Sequence, residues 1–176
     1  IESQTFLNPF YLCQKTVKIY NYKSRIIYFL HHIIGETLRM TTFCLNGLGR
    51  IGKLVLRNLL EKGFEILFIN DAEGTPELHA HLLEFDSVHG RWPASFSWDK
   101  SSITINHNNL KIYKSKSLRD LPLNNVDVVI DCTGAFRTEE SLNPYFSAGL
   151  KKVIVSASVG DGHTAKIVWG VNNNFY

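Results

Sequence analysis

The sequence predicts a doubly wound α/β domain with a mostly parallel sheet and an inserted antiparallel hairpin. Short apolar runs alternate along the chain with segments whose apolar residues recur at helical spacing. Several of the runs are almost continuously apolar, as expected of parallel strands that are buried on both faces. A glycine turn joins the first run directly to the first helical segment. Together these observations indicate βαβ units and a Rossmann arrangement.

Composition places the chain among ordinary globular proteins and argues against nucleic-acid binding. The 176 residues are 44% hydrophobic and 20% charged, with a net charge of +3. Residues 1–39 hold five Lys or Arg against two acids, while residues 40–176 balance 14 against 14. We therefore expect no nucleic-acid partner. Cys13, Cys44 and Cys132 include no Cys-x-x-Cys pair, so neither a zinc site nor a disulfide framework is suggested, which favours a reducing, cytoplasmic location.

Residues 1–39 are predicted to be a non-native or disordered extension. The only methionine is Met40, and Ile, Lys, Asn, Tyr and Phe supply 18 of the 39 residues before it. The longest apolar stretch there, Ile26–Ile34, is well short of the roughly 20 residues that span a bilayer, so no membrane partner is expected. A transit peptide is the alternative, but the segment lacks the Arg and Ser enrichment of such peptides.

The first βαβ unit is predicted from residues 43–71. Phe43–Leu45 reads as a strand, and the apolar residues between Ile51 and Leu59 give the following segment a helical period. Gly63 closes this helix. A second apolar strand, Glu65–Ile69, then leads to Asn70 and Asp71.

The remaining elements follow from capping and turn signals. Thr75 and Pro76 suit a helix start, and Leu78, Leu82 and Leu83 are predicted to form its apolar face. The later segments are predicted as a hairpin at 103–106 and 110–113, a strand at 126–132, a helix at 139–148 ending before Gly149, and strands at 152–157 and 167–171.

The glycine turn has the spacing of a dinucleotide-binding fingerprint. Gly47 permits the tight turn, Gly49 lets the backbone approach a pyrophosphate, and Gly52 allows the helix to pack closely on the strand. The N–H groups near Arg50 and Ile51 would then face the phosphates at the positive end of the helix.

Asp71 strengthens this interpretation because it ends the second strand, near the spacing at which an acidic side chain reaches the ribose hydroxyls. An acid at this place would repel a 2′-phosphate, so the sequence favours NAD over NADP. The alternative is a glycine-rich turn that only packs a helix on a sheet, with Asp71 as a solvated turn residue.

Four ordered segments resemble glyceraldehyde-3-phosphate dehydrogenases. The stretch Asn46-Gly-Leu-Gly-Arg-Ile-Gly52 is similar to the Asn-Gly-Phe-Gly-Arg-Ile-Gly opening of that family. Phe85-Asp-Ser-Val-His-Gly90, Thr133-Gly-Ala-Phe136 and Gly170-Val-Asn172 also match it in order. The resemblance covers essentially all of residues 40–176 and implies an N-terminal NAD-binding Rossmann domain with NAD as its cofactor.

The resemblance also implies roles for individual residues. Gly47, Gly49, Arg50 and Ile51 would surround the pyrophosphate, and Asp71 would bind the adenosine ribose. Thr133 and Phe136 would border the adenine, and Ser156 falls where the family keeps a serine near the cofactor. Lys116 stands where most relatives have an arginine, so it would have to replace that contact.

The same resemblance implies an NAD-dependent oxidation of an aldehyde phosphate to an acyl phosphate. The family's nucleophilic cysteine lies in a Ser-Cys-Thr-Thr-Asn stretch that this sequence does not contain. We therefore expect the C-terminal catalytic domain to be absent, no catalytic residue to lie in this chain, and the fragment to be inactive. At full length the resemblance implies a cytoplasmic, glycolytic homotetramer that binds a small-molecule substrate.

Two further interpretations stay open. The sequence of residues 80–92 resembles the branch of this family that is associated with arsenate resistance, in which arsenate replaces phosphate and an acyl arsenate forms. The alternative to an enzyme is a non-catalytic NAD-binding or sensing domain. Among possible reactive groups, Cys132 is expected to be a buried structural cysteine, and His79 and His81 are expected to lie on a solvated helix surface without a metal.

Overall fold

The computed structural model describes residues 17–19, 41–160, 164–168 and 170–175. Three α-helices are found there: α1 (Arg50–Glu61), α2 (Pro76–Glu84) and α3 (Glu139–Ser147). Short 3₁₀ turns occur at Leu118–Asp120, Leu123–Asn125 and Asn173–Phe175. The strands are β1 (Val17–Ile19), β2 (Thr42–Asn46), β3 (Glu65–Asn70), β4 (Phe85–Asp86), β5 (Gly90–Arg91), β6 (Phe96–Trp98), β7 (Ser102–Ile105), β8 (Asn108–Tyr113), β9 (Val128–Asp131), β10 (Lys152–Val155) and β11 (Ala165–Ile167).

The main sheet confirms the predicted fold class. Its strand order is β11-β1-β10-β9-β2-β3-β8-β7-β6, and only the β6–β7 and β7–β8 pairs are antiparallel. The predicted hairpin is β7–β8, which turns at Asn106 in the left-handed region with φ 53°. Because β8 also pairs in parallel with β3, the hairpin extends the sheet. Strands β4 and β5 form a separate antiparallel pair.

Alternating side chains divide the core between the two faces of the sheet. In β2, Phe43 and Leu45 join the cluster that contains the buried side of α1, whereas Cys44 joins the cluster around α3. Strand β9 repeats this alternation, since Val128 and Ile130 lie on the first face and Val129 on the second. Both faces of the central strands are therefore covered by helices, as a doubly wound sheet requires.

Helix α2 is rotated relative to the prediction. It begins as expected at Pro76, with the Thr75 hydroxyl accepting a hydrogen bond from Leu78 N. However, Leu78 is 47% and Leu82 41% exposed, so the predicted apolar face is wrong apart from Leu83. The residues that α2 buries are Pro76, His79, Ala80 and Leu83.

A contact of His79 explains this rotation. Its Nε2 lies 2.9 Å from the carbonyl oxygen of Glu73, and the ring sits beneath Gly74, whose φ is +79°. A Cβ at Gly74 would lie 2.7 Å from Nε2. The prediction that His79 is solvated is therefore wrong, because the turn before α2 turns this side chain inward.

The other differences concern strand bounds. The strand predicted at 167–171 is shorter and earlier, at Ala165–Ile167, because Asn172 Oδ1 accepts a hydrogen bond from Val168 N and closes a turn there. Strand β1 was not predicted; it lies between β10 and β11. The prediction for the rest of residues 1–39 lies outside the described residues.

No helix within residues 41–160 and the shorter described segments is both long and apolar enough to cross a bilayer.

Candidate functional site

A cavity opens at the carboxyl ends of β2, β3 and β9. These strands end in Asn46, Asn70 and Asp131, next to the point where the chain returns from one side of β2 to the other. Ligands of open α/β sheets bind at such a point. The cavity has a volume of about 440 Å³. Its walls include six of the ten predicted cofactor residues: Gly47, Gly49, Asp71, Lys116, Thr133 and Phe136.

Each glycine of the turn meets a different constraint. Gly47 has φ +93°, and a Cβ there would lie 2.6 Å from Thr133 N. A Cβ at Gly52 would overlap the carbonyl oxygen of Gly47, so only glycine allows α1 to approach the turn this closely. At Gly49 a Cβ would meet nothing within 4 Å, because this residue faces the open cavity.

The N-terminus of α1 is suited to an anion. Gly49 is its N-cap and supplies no side chain to the first turn, and that turn contains no acidic residue. The first N–H groups of a helix lack partners within the helix and carry its positive dipole end. Arg50 and Ile51 provide these groups beside the cavity, although neither side chain is part of its wall.

Charged side chains hold the backbone of Leu48 on both sides. Asp71 Oδ2 accepts a hydrogen bond from Leu48 N at 2.5 Å, and Lys53 Nζ donates to Leu48 O at 2.5 Å. The other oxygen of Asp71 accepts from Glu73 N at 3.0 Å. Burial lowers the pKa of Lys53, and the nearby Asp71 carboxylate opposes this shift. The turn conformation is therefore fixed by residues of α1 and of the β3 end.

The opposite wall of the cavity combines an ion pair with an aromatic ring. Lys116 Nζ lies 3.6 Å from Glu73 Oε1 at the exposed rim, where such a pair contributes little to stability. Phe136 packs its ring edge-to-face against Tyr145, with 5.8 Å between centroids. A cation and an aromatic face thus border the side that the resemblance assigns to the adenosine.

A buried polar cluster lies behind the cavity and reaches its wall through Asn46 and Thr133. Asn46 Nδ2 donates to Asp131 Oδ2 at 3.0 Å and to Tyr145 Oη at 2.6 Å, and Tyr145 Oη donates to Asp131 Oδ2 at 2.7 Å. The other oxygen of Asp131 accepts from Thr133 N at 3.1 Å and from its hydroxyl at 2.8 Å. Burial raises the pKa of Asp131, and the hydrogen bonds from these neighbours partly counter that increase.

Asn70 joins this cluster to the loop that follows β8. Its Nδ2 donates to Asn46 Oδ1 at 2.7 Å and to Ser115 O at 3.0 Å, while its Oδ1 accepts from Ser115 N at 2.9 Å. Both polar atoms of the Asn70 amide are thereby used. The pair of bonds fixes the position of Ser115, which precedes Lys116.

The thiol nearest the cavity is not activated. Burial raises the pKa of Cys132 to about 12, so this thiol is protonated at neutral pH, in agreement with a structural role. Ser156 lies behind it, bonded through its N–H to Asp131 O at 2.8 Å, and is not part of the cavity wall. Across the described part of the chain, no group of three His, Cys, Asp or Glu residues is placed to hold a metal ion.

Four polar residues of the site were not predicted as site residues: Asn46, Asn70, Asp131 and Tyr145. The first three had a usable signal, because each ends a predominantly apolar strand with a polar side chain. The carboxyl ends of adjacent parallel strands meet at one edge of a sheet, so these side chains had to be neighbours. Tyr145 lies in the last turn of α3, and nothing in its local sequence indicates its contact.

Comparisons with known proteins agree with this geometry. Residues 41–139 match the family model described as glyceraldehyde 3-phosphate dehydrogenase, NAD binding domain. The chain is 42% identical over 132 residues to glyceraldehyde-3-phosphate dehydrogenase of Cereibacter sphaeroides, covering 73% of the chain and 39% of the relative. It is 40% identical over 135 residues to the plasmid enzyme of that name from Cupriavidus necator, covering 73% of the chain and 40% of the relative.

A more distant relative matches the same region. The chain is 36% identical over 120 residues to glyceraldehyde-3-phosphate dehydrogenase 1 of Giardia intestinalis, covering 66% of the chain and 36% of the relative. The chain therefore spans about 40% of the length of the curated relatives it matches. The family match identifies NAD as the cofactor of this domain.

Proposed function

Because this chain belongs to the glyceraldehyde-3-phosphate dehydrogenase family, we propose that it supplies the NAD-binding part of an oxidoreductase of that type. In this proposal residues 40–176 form the Rossmann domain, and the segment before them is an extension whose strand β1 adds to the sheet between β10 and β11. The observation that carries the proposal is the coincidence of an open Gly49, an uncapped α1 N-terminus and Asp71 around one cavity.

The cofactor would be held by the ten residues predicted from the sequence. The N–H groups of the α1 N-terminus, at Arg50 and Ile51, would bind the pyrophosphate, with Gly47 and Gly49 leaving room for it and Gly52 closing the turn behind. Asp71 would bind the adenosine ribose and reject a 2′-phosphate. The adenine would lie between Thr133, Phe136 and the rim at Lys116, with Ser156 supporting the loop behind Cys132.

The cofactor proposal is tested by calorimetric titration of the 176-residue chain with NAD and with NADP. We expect NAD to bind at least about tenfold more tightly, a difference of ~1.4 kcal/mol, because the Asp71 charge opposes a 2′-phosphate. Asp71→Asn keeps an oxygen that accepts the hydrogen bond from Leu48 N–H but removes the negative charge. It should therefore reduce the difference between the affinities for NAD and NADP.

The matched control is Asp99→Asn, which removes a charge from the β6–β7 turn at the far edge of the sheet. It should leave both affinities unchanged. Equal binding of NAD and NADP by the unmodified chain, or no binding of NAD, would contradict the assigned ribose site.

For the whole protein we propose phosphorylating oxidation of an aldehyde phosphate, in a cytoplasmic homotetramer. NAD accepts hydride in such a reaction. In this proposal the nucleophile and its base belong to a C-terminal catalytic domain, and residues 40–176 bind and orient the dinucleotide. The chain alone is then inactive, consistent with the protonated thiol of Cys132.

An activity assay tests whether catalysis requires residues outside this chain. The 176-residue chain is incubated with NAD, glyceraldehyde 3-phosphate and either phosphate or arsenate, and NADH is followed by absorbance. We expect no NADH from the chain alone with either acceptor. In a version extended to the length of its relatives, turnover with arsenate but not phosphate would favour the arsenate-linked branch, in which an acyl arsenate forms. Turnover by the short chain itself would overturn the proposal.

A further inference from the structure

We propose that Tyr145 and Asp131 are positioning residues for the cofactor, because their buried hydrogen bonds couple the turn after Asn46 to the loop that begins at Thr133. This inference rests on the proposed NAD site and names the residues that set its shape. Neither residue lies in the cavity wall. They would act through Asn46 and Thr133, which do.

The hydrogen bonds of this cluster leave little freedom to rearrange. The Asn46 amide uses its two N–H groups on Asp131 and Tyr145, and its oxygen accepts from Asn70. Tyr145 Oη accepts from Asn46 and donates its single proton to Asp131. Because every donor hydrogen named here has an acceptor, loss of the Tyr145 hydroxyl leaves an Asn46 N–H unpaired in a buried place.

The cluster reaches the cofactor cavity on two walls. Asp131 holds both the N–H and the hydroxyl of Thr133, and the backbone of Thr133 stands against Gly47 at the position a Cβ would need. The ring of Tyr145 supports Phe136 on the opposite side. A shift of Tyr145 or Asp131 would therefore change the distance between the pyrophosphate turn and the adenine wall.

Asp131 is the carboxyl group of this cluster, and burial raises its pKa while the hydrogen bonds from its neighbours lower it. The groups that face it are the Cys44 thiol from β2, the Cys132 thiol from its own loop and the Tyr145 phenol from α3. Burial raises the pKa of all three groups, so they stay uncharged at neutral pH and below. From β10, the residue paired with Asp131 is Val155, which carries no charge.

Protonation of Asp131 would disturb the cluster because its neighbours are donors. Asn46 Nδ2, Tyr145 Oη and Thr133 all point hydrogens at the carboxylate. A protonated oxygen cannot accept these bonds as well as a charged one. We therefore expect NAD affinity to fall as the pH drops through the pKa of Asp131. The hydrogen bond from Tyr145 lowers the pKa of Asp131. Its removal should therefore raise that pKa and move the loss of NAD affinity to higher pH.

The experiment is the NAD dissociation constant of the full 176-residue chain measured between pH 5 and 8, alone and with Tyr145→Phe. The loss of one hydrogen bond to a carboxylate should shift the acid limb of binding upward by about one pH unit. Tyr113→Phe is the matched control, since this tyrosine lies on β8 with its ring against Phe68, outside the cluster. Its pH profile should superimpose on that of the unmodified chain.

Two results would overturn the inference in distinguishable ways. If the unmodified chain does not bind NAD at any pH, the proposed function fails and this inference fails with it. If the chain binds NAD but Tyr145→Phe has an unchanged pH profile, only the positioning role is rejected. If Tyr145→Phe does not yield folded protein, Asp131→Asn is titrated instead. A profile without the acid limb supports the role, and an unchanged limb rejects it.

Discussion

At the scale of single residues, the dinucleotide turn is held by the two charges that flank Leu48. Leu48 itself is fully buried, and its N–H and C=O are bonded to Asp71 and Lys53 respectively. Asp71 therefore has a structural task besides its proposed contact with the ribose. Lys53, which has no place in the cavity wall, becomes important to the site through the backbone that it holds.

The role of Lys53 leads to a prediction about affinity. Lys53→Met removes the ammonium group and leaves the Leu48 carbonyl without this donor. We expect NAD affinity to fall roughly tenfold, about 1.4 kcal/mol, because a hydrogen bond to a charged group stabilises by about 1.5–3 kcal/mol. Titration calorimetry with NAD measures the change. Lys62→Met, at the exposed C-terminal end of the same helix, should leave the affinity unchanged.

At the scale of secondary structure elements, α1 packs on the sheet only because two glycines face each other. The Cα of Gly52 lies against the carbonyl of Gly47, and behind it the Cβ of Cys132 would be 3.5 Å from an added methyl group. The helix buries Val55, Leu56 and Leu59 on the same face, so it cannot withdraw without exposing apolar surface. The glycine turn therefore sets both the close approach of α1 and the proposed phosphate site at its N-terminus.

Two alanine substitutions should separate packing from binding. Gly52→Ala forces a methyl group against backbone, and we expect the free energy of unfolding to fall by about 1–3 kcal/mol. Gly49→Ala adds its methyl group to open space at φ −71°, so stability should change by less than about 1 kcal/mol. That methyl group enters the cavity, however, and NAD affinity should fall.

Urea unfolding and NAD titration of both variants provide the measurement. Equal stability losses in the two variants would contradict the packing role of Gly52. Unchanged NAD affinity in Gly49→Ala would contradict the approach of a pyrophosphate to this residue.

At the scale of the whole molecule, stability against acid depends on two carboxyl groups whose pKa values are shifted in opposite directions. Hydrogen bonds from His89 N and Val88 N lower the pKa of Asp86 to about 2. Its contribution to stability is therefore present above its ordinary pKa and is lost as the pH falls through about 2. Burial raises the pKa of Asp131, so its pH dependence is opposite. Its contribution to stability is present below the ordinary pKa of an aspartate and is lost as the pH rises through the raised pKa.

This difference predicts the pH dependence of one substitution. Asp86→Asn should lower the free energy of unfolding at pH 7 by about 1 kcal/mol, a value reduced for the partial exposure of the turn. The deficit should shrink as the pH falls from 4 towards about 2, where Asp86 itself becomes protonated. Urea titrations at pH 7, 5 and 3 measure it. Glu65→Gln, which removes an exposed charge at the start of β3, should show no such trend.

The sequence by itself determined the fold class, the turn and the cofactor. Strand and helix periods in the chain predict the doubly wound sheet because side chains must alternate between two buried faces. The three glycines and Asp71 also had to be adjacent, since a βαβ unit brings the ends of its parallel strands together. These features depend on residues near one another in sequence or on the parallel order of strands.

Tertiary structure alone decided which side of α2 is buried and which residues support the cavity from behind. Leu78 and Leu82 are the more apolar stripe, yet the turn at Gly74 and the bond of His79 to Glu73 direct the other stripe inward. Tyr145 meets Asn46 across 99 positions of sequence. Periodicity shows that a helix has faces, but the rotation of the helix and the partners of a buried polar atom depend on the packing of distant segments.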